Sequence, residues 1–110
     1  MSDRLQKFLP LLNKIKKFRP LKRQKIIEAA EDDLILCLCE CAKNTLNSSV
    51  PLNKNQFKRL GQHKKILRKL VNKKVPLNKK RKAILSQGGG FLLPLIAPIL
   101  AAVVQGLIFK

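Results

Sequence analysis

Apolar residues recur along most of the chain at intervals of three and four, the period of a helix. Leu5, Leu9, Leu12 and Ile15, with Phe8 and Phe18 alongside, predict a first helix over 3–18. Pro10 falls inside that pattern, where it is expected to kink or split the helix. Ile27, Ala30, Leu34, Leu38 and Cys41 form a second stripe, widened by Ile26, Cys37 and Ala42, and predict one long helix over 21–46. Residues 44–53 (NTLNSSVPLN) are expected to form a loop. A third helix is predicted over 54–73, with Asn53 as its N-cap and Phe57, Leu60, Leu67, Leu70 and Val71 on its core side. A short fourth helix would run from Asn78 to Ser86. Gly88-Gly89-Gly90 is then a hinge in which helix should not persist, and the tail FLLPLIAPILAAVVQGLIF follows at 91–109. Tyr and Trp are absent and the few Val are scattered, so no strand is predicted. The expected fold is all-α, a small helical bundle with a Gly-hinged C-terminal apolar helix. Its expected organisation is a basic helical domain (1–87), a glycine hinge (88–90) and an apolar tail (91–110).

A short cassette marks two of the predicted helix starts. Val50-Pro51-Leu52-Asn53-Lys54 recurs as Val75-Pro76-Leu77-Asn78-Lys79, and Arg19-Pro20-Leu21-Lys22-Arg23 is a looser copy. Proline ends the preceding segment, leucine is placed to act as a hydrophobic staple, and asparagine caps the next helix. Five residues are too few to define a structural repeat, so duplication stays an open alternative.

Charge turns this helical outline toward a partner. The 110 residues are enough for one small domain, and they carry 24 Lys+Arg against 6 Asp+Glu, a formal charge of +18. Every charged residue except Lys110 lies in 1–87, so that body holds a net +17 while 88–109 hold no charge. Such a charge repels itself unless a polyanion offsets it. Nucleic acid is the first candidate, an anionic membrane surface the second and an acidic protein the third.

On a helical wheel of 54–73, Lys54, Lys58, Lys65, Lys69 and Lys73 fall opposite the apolar side, flanked by Arg59, Lys64, Arg68 and Lys74. This stripe would run about 28 Å, near one turn of duplex DNA. Lys79-Lys80-Arg81-Lys82 is denser still and also has the form of a nuclear localisation signal. The candidate nucleic-acid-binding residues are therefore Lys54, Lys58, Arg59, Lys65, Arg68, Lys69, Lys73, Lys79, Lys80, Arg81 and Lys82. Lysine outnumbers arginine and, with Phe57 assigned to the core side, no aromatic residue is expected to interleave the lysine run. That composition favours phosphate contacts over base stacking or sequence reading.

No catalytic constellation is evident. Met1–Arg4 lead into no apolar h-region, so no signal peptide is expected. The three cysteines are an odd number set as Cys37-x-Cys39-x-Cys41, which suits buried thiols in a reducing compartment better than a disulfide scaffold or tetrahedral zinc. His63 is expected to be packed or half-exposed. Glu28, Glu31, Asp32 and Asp33 are expected to complement a helix dipole and to pair with Lys22, Arg23 and Lys25. Neither an enzymatic activity, a metal nor a cofactor is expected.

The tail has three readings. Residues 91–109 contain one polar side chain, Gln105, and as a helix would span about 28 Å, close to a bilayer core. They can form a C-terminal membrane anchor, a sheltered membrane-active or protein-docking segment, or a buried core helix. Pro94 and Pro98 weaken the simple spanning helix. In the first two readings Phe91, Leu92, Leu95, Ile96, Ile99, Leu100, Val103 and Leu107 are the membrane or partner contacts.

A basic run, then a glycine pair, then GGGFLLPLIAPILAAVVQGLI at 88–108 resembles the C-terminal part of the adenoviral core protein mu precursor (protein X). The chain resembles open reading frames of adintovirus and Polinton (Maverick) elements through LCECAKNTLNSSVPLN and KKVPLNKKRKAILSQGGGF in the helical body and through the tail. The resemblance implies a virion core protein that neutralises and condenses packaged double-stranded DNA in the virion core or host nucleus. It also implies a viral cysteine protease acting near Gly89, Gly90 and Phe91, with cleavage after Gly90. Gln87 stands where that site usually carries an aliphatic residue. The mu body is short and Arg-rich, whereas this one is Lys-rich, helical and partly acidic.

The leading expectation is thus a viral-type core or minor structural protein that binds double-stranded DNA non-specifically, with a tail for membrane or capsid proteins. The alternatives are a tail-anchored or membrane-active basic protein, membrane-associated in location, and an RNA-binding component.

Overall fold

The computed structural model describes residues 3–46, 52–87 and 92–104. Among these the chain forms α1 (Asp3–Lys17), α2 (Pro20–Ala29), α3 (Asp32–Leu46), α4 (Lys54–Gly61), α5 (Lys64–Val71), α6 (Leu77–Ser86) and α7 (Leu92–Val104), with no strand. The all-α bundle expected from the apolar spacing is the fold observed. The Gly88–Gly90 junction, where a hinge and a cleavage site are expected, lies outside the described residues.

α3 is the central element because its LILCLC run is apolar nearly all round. It buries Leu34, Ile35, Cys37, Leu38, Cys39, Cys41, Ala42 and Thr45. α1, α5, α6 and α7 pack around it, while α2 lies on α6 and α4 on α7. α1 contributes Leu5, Leu12 and Ile15, the positions its period assigned to one face. Pro10 sits within α1 without splitting it, since buried leucines anchor the helix on both sides.

Two predicted helices are each broken in two. The helix expected over 21–46 stops at Ala30, whose ψ of 145° is extended, and restarts at Asp32. Asp32 and Asp33 then occupy the first turn of α3, where negative charge complements the exposed N–H groups. The helix expected over 54–73 is interrupted at Gln62–His63 and ends at Val71. Residues 61–65 (GQHKK) offer no apolar side chain to hold a helix, and Gly61 adds about 1 kcal/mol of helix cost relative to alanine. The break lets α4 lie on α7 while α5 reaches α3 and α6.

The cassette starts its helices in three ways. Asn53 forms a capping box with Gln56, the side chain of each accepting from the backbone N–H of the other. Leu52 packs against the core, leaving Phe57, the usual staple partner, exposed. Pro76 itself is the N-cap of α6, so Asn78 is inside the first turn and not the cap expected of it. Pro20 is the first residue of α2.

Of the three tail readings, the structure carries the core helix. Leu95, Ile96, Ile99, Leu100 and Ala102 are buried in the same cluster as α3, and Val103 packs against it. Those side chains are spent on α1, α3 and α4 rather than presented outward. Among the described residues no helix is long and apolar enough to cross a membrane. Phe91, Leu107 and the side chain of Leu92 lie outside the described residues.

Ile99→Ala is therefore expected to lower unfolding stability by about 2–5 kcal/mol, the cost of a core truncation. Urea denaturation followed by circular dichroism measures it. An unchanged midpoint would show that α7 is an appendage rather than part of the core.

Candidate nucleic-acid interface

Burial dictates which basic side chains are free to meet a partner. α5 directs Leu67 and Leu70 inward, with Ile66 and Val71 at the border, so Lys64, Lys65, Arg68 and Lys69 occupy its outward arc and are exposed. α4 buries Leu60, and Lys54, Lys58 and Arg59 are exposed. Lys73 and Lys74 are exposed in the turn between α5 and α6. The basic side expected of one continuous helix is thus assembled from two short helices and a turn, and it is not a single straight stripe of 28 Å.

The 79–82 cluster divides. Successive residues of a helix are 100° apart, so four in a row cover its whole circumference and cannot share one face. Lys79 and Lys82 point outward and are exposed. Lys80 is 9% exposed, on the side of α6 that buries Ala83 and Ile84. Arg81 is turned toward α2 and α3. Its Nη1 donates to the carbonyls of Ile27 (2.8 Å) and Ala30 (2.7 Å), and its Nη2 to the Asp32 carboxylate (3.0 Å). One guanidinium so joins the last carbonyls of α2 to the first turn of α3, across the break. Arg81 is engaged within the bundle and Lys80 is largely covered, so neither shares the exposed face of Lys79 and Lys82.

Arg23 plays the same part at the end of α1. It is 6% exposed, and it donates from Nε to the Ile15 carbonyl and from Nη2 to the Lys16 carbonyl, both at 2.9 Å. These carbonyls lie in the last turn of α1, where helix carbonyls lack intrahelical donors and the dipole favours a cation. Neither role was visible in the sequence. For Arg81 the available signal was a single arginine among lysines at 79–82, since its planar fork can span two carbonyls.

The acidic cluster pairs differently from expectation. Asp33 meets Arg4 at 3.3 Å and Lys7 at 3.8 Å, and Asp32 meets Arg81. Asp32 and Asp33 do complement a dipole, at α3, but their ion-pair partners are not Lys22, Arg23 or Lys25. No Asp or Glu occurs after Glu40. The exposed lysines and arginines of 54–82 therefore have no acidic neighbour in their own half of the chain.

Cys37, Cys39 and Cys41 are buried, unpaired thiols. A hydrogen bond with Cys37, together with burial, pushes the Cys41 thiol well above its ordinary range. Burial raises Cys39 as well, opposed by the charge of nearby Lys80. Both favour the neutral thiol, a poor metal ligand and a poor nucleophile. Among the described residues no three His, Cys, Asp or Glu side chains gather to hold a metal. His63 is half-buried at the turn between α4 and α5.

One candidate was misplaced in the opposite sense. Phe57, assigned by its spacing to the core side, is 67% exposed. α4 is eight residues long and buries Leu60 alone, so the core does not extend far enough to cover a ring one turn earlier.

The chain matches no family model, no curated protein and no solved structure.

Arg81→Gln is expected to lower stability by about 1.5–3 kcal/mol through loss of charged hydrogen bonds to two helix-end carbonyls. At a salt concentration where both proteins are folded, its affinity for a polyanion should stay within about two-fold of wild type. Urea midpoints and fluorescence anisotropy read the two quantities. A variant of wild-type stability that binds markedly less would place Arg81 on the interface instead.

Proposed function

We propose that this protein binds double-stranded DNA non-specifically, by lysine and arginine contacts to phosphate. One observation carries this reading. Eleven basic side chains between Lys54 and Lys82 are exposed, and no acidic residue follows Glu40. Held on α4, α5, α6 and the turn between α5 and α6, these charges repel one another. A polyphosphate relieves that repulsion and releases its own condensed counterions on binding. Lysine is a compact point charge on a flexible stem, suited to phosphates at varied spacing rather than to paired contacts with one base.

The likeness to the mu precursor and to adintovirus and Polinton reading frames supports a core or minor structural role in a virion. There the protein would neutralise packaged DNA. The partners in that role are the duplex itself and, through surfaces other than the buried side of α7, capsid proteins. The membrane alternative has less support, because Leu95, Ile96, Ile99 and Leu100 are occupied within the bundle.

Binding of the intact chain to a duplex of arbitrary sequence, titrated across salt by anisotropy, tests this. With about six to eight phosphates neutralised, log K should fall against log salt with a slope of about −5 to −7. Replacing Lys58, Lys65 and Lys69 together by glutamine should reduce the slope by about 3. Replacing Lys14, Lys16 and Lys17 of α1 should change it less. A flat salt dependence, or an α1 variant as defective as the α4–α5 one, overturns the proposal.

A further inference from the structure

We infer that Phe57 stacks on one unpaired base, so that the protein prefers DNA with a bulged or locally single-stranded base over a smooth duplex. The inference rests on the phosphate-binding reading and adds a second contact to it. Three observations converge on this ring. It is 67% exposed; among the described large apolar side chains Leu21 is comparably exposed at 68%, but Phe57 is the one that presents a flat ring. Phe8 and Phe18 are half-buried, and lysines sit over their rings, Lys7 at 5.3 Å and Lys22 at 4.0 Å. Phe57 has no such contact among the described residues. Finally, Gly61 is one turn further along the same side of α4, and a Cβ placed there would meet nothing within 4 Å. The ring therefore has open space beside it.

The surroundings select the occupant. Lys54, one turn before Phe57 and about 60° round α4 from it, is exposed, and so is the next residue in sequence, Lys58. A partner that suits this setting carries negative charge and presents a flat apolar face. A nucleotide does both, with phosphate for the lysines and base for the ring. In an intact duplex the base faces are covered by their neighbours. A bulged or single-stranded base has a free face, and stacking on an aromatic side chain contributes about 1–3 kcal/mol per base.

The chain contains neither Trp nor Tyr, so Phe57→Trp creates a single fluorescent reporter at the site. The probes are a duplex with one bulged base, the same duplex without it, heparin, and phosphatidylserine-containing vesicles. The bulged duplex should quench the emission more strongly than the smooth one at matched saturation, and heparin, which has charge and no bases, should not quench it. In parallel, Phe57→Ala should bind the bulged duplex about ten-fold more weakly than wild type. Its salt slope on the smooth duplex should be unchanged, and an unaltered urea midpoint is expected for an exposed side chain.

Equal quenching by bulged and smooth duplex, quenching by heparin, or wild-type affinity of Phe57→Ala for the bulge overturns the stacking role while leaving phosphate binding intact. A blue shift on vesicles without quenching by DNA assigns the ring to a membrane surface and overturns it too. If the wild-type chain shows no salt-dependent DNA binding, both proposals fall together.

Discussion

Burial of α3 dictates how the other helices pack. An apolar helix exposed on every side cannot stand in water, and each fully buried leucine or isoleucine contributes about 1.5–3 kcal/mol. α1, α5, α6 and α7 each present an apolar strip to it, and α4 joins through α7. The eight-residue α4 and α5 are too short to persist alone. Their basic faces exist because Leu60, Leu67 and Leu70 are held in the core. The same burial that stabilises the bundle thus arranges its charge, and α7 is tied to that arrangement through Leu95, Ile96 and Ile99.

Once the apolar strips are inside, the cations separate into two kinds. Arg23 and Arg81 turn inward and satisfy carbonyls at the ends of α1 and α2, which short helices have in excess. The remaining exposed side chains of 54–82 are mostly lysines, whose ammonium groups keep their hydration while the stems lie along the surface. A bundle with many short helices needs many helix ends closed. Arginine closes them here at two C-terminal ends that no glycine follows.

Much of this was legible in the chain. Helical type, the inward faces of α1 and α5, the N-cap at Asn53 and the basic bias of 54–82 all follow from local spacing and residue type. The two helix breaks were not, for different reasons. At Ala30 the break is stabilised by Arg81, some fifty residues away, and no local signal stronger than the Glu31-Asp32-Asp33 run marks it. At Gln62–His63 the apolar phase of Leu60 and Leu67 continues across the gap, so periodicity alone reads straight through it. Lys80 and Arg81 do not share the exposed face of Lys79 and Lys82, because a run of like residues looks like a patch in sequence and is a ring around a helix in space. Phe57 was misjudged because hydrophobicity indicates what a side chain tolerates, and the reach of the core decides whether it is covered. The fate of the tail was open at the level of composition, since a core helix and a membrane segment are equally apolar.

In the proposed complex the surface built by α4–α6, and not total charge, meets the polyanion. Mass-spectrometric footprinting of lysines by acetylation, in the intact protein with and without saturating duplex DNA, addresses it most directly. Lys54, Lys58, Lys64, Lys65, Lys69, Lys73, Lys74, Lys79 and Lys82 are expected to lose reactivity on binding, while the equally exposed Lys14, Lys16 and Lys17 of α1 keep theirs. Uniform protection of all exposed lysines, or protection centred on α1, would contradict it.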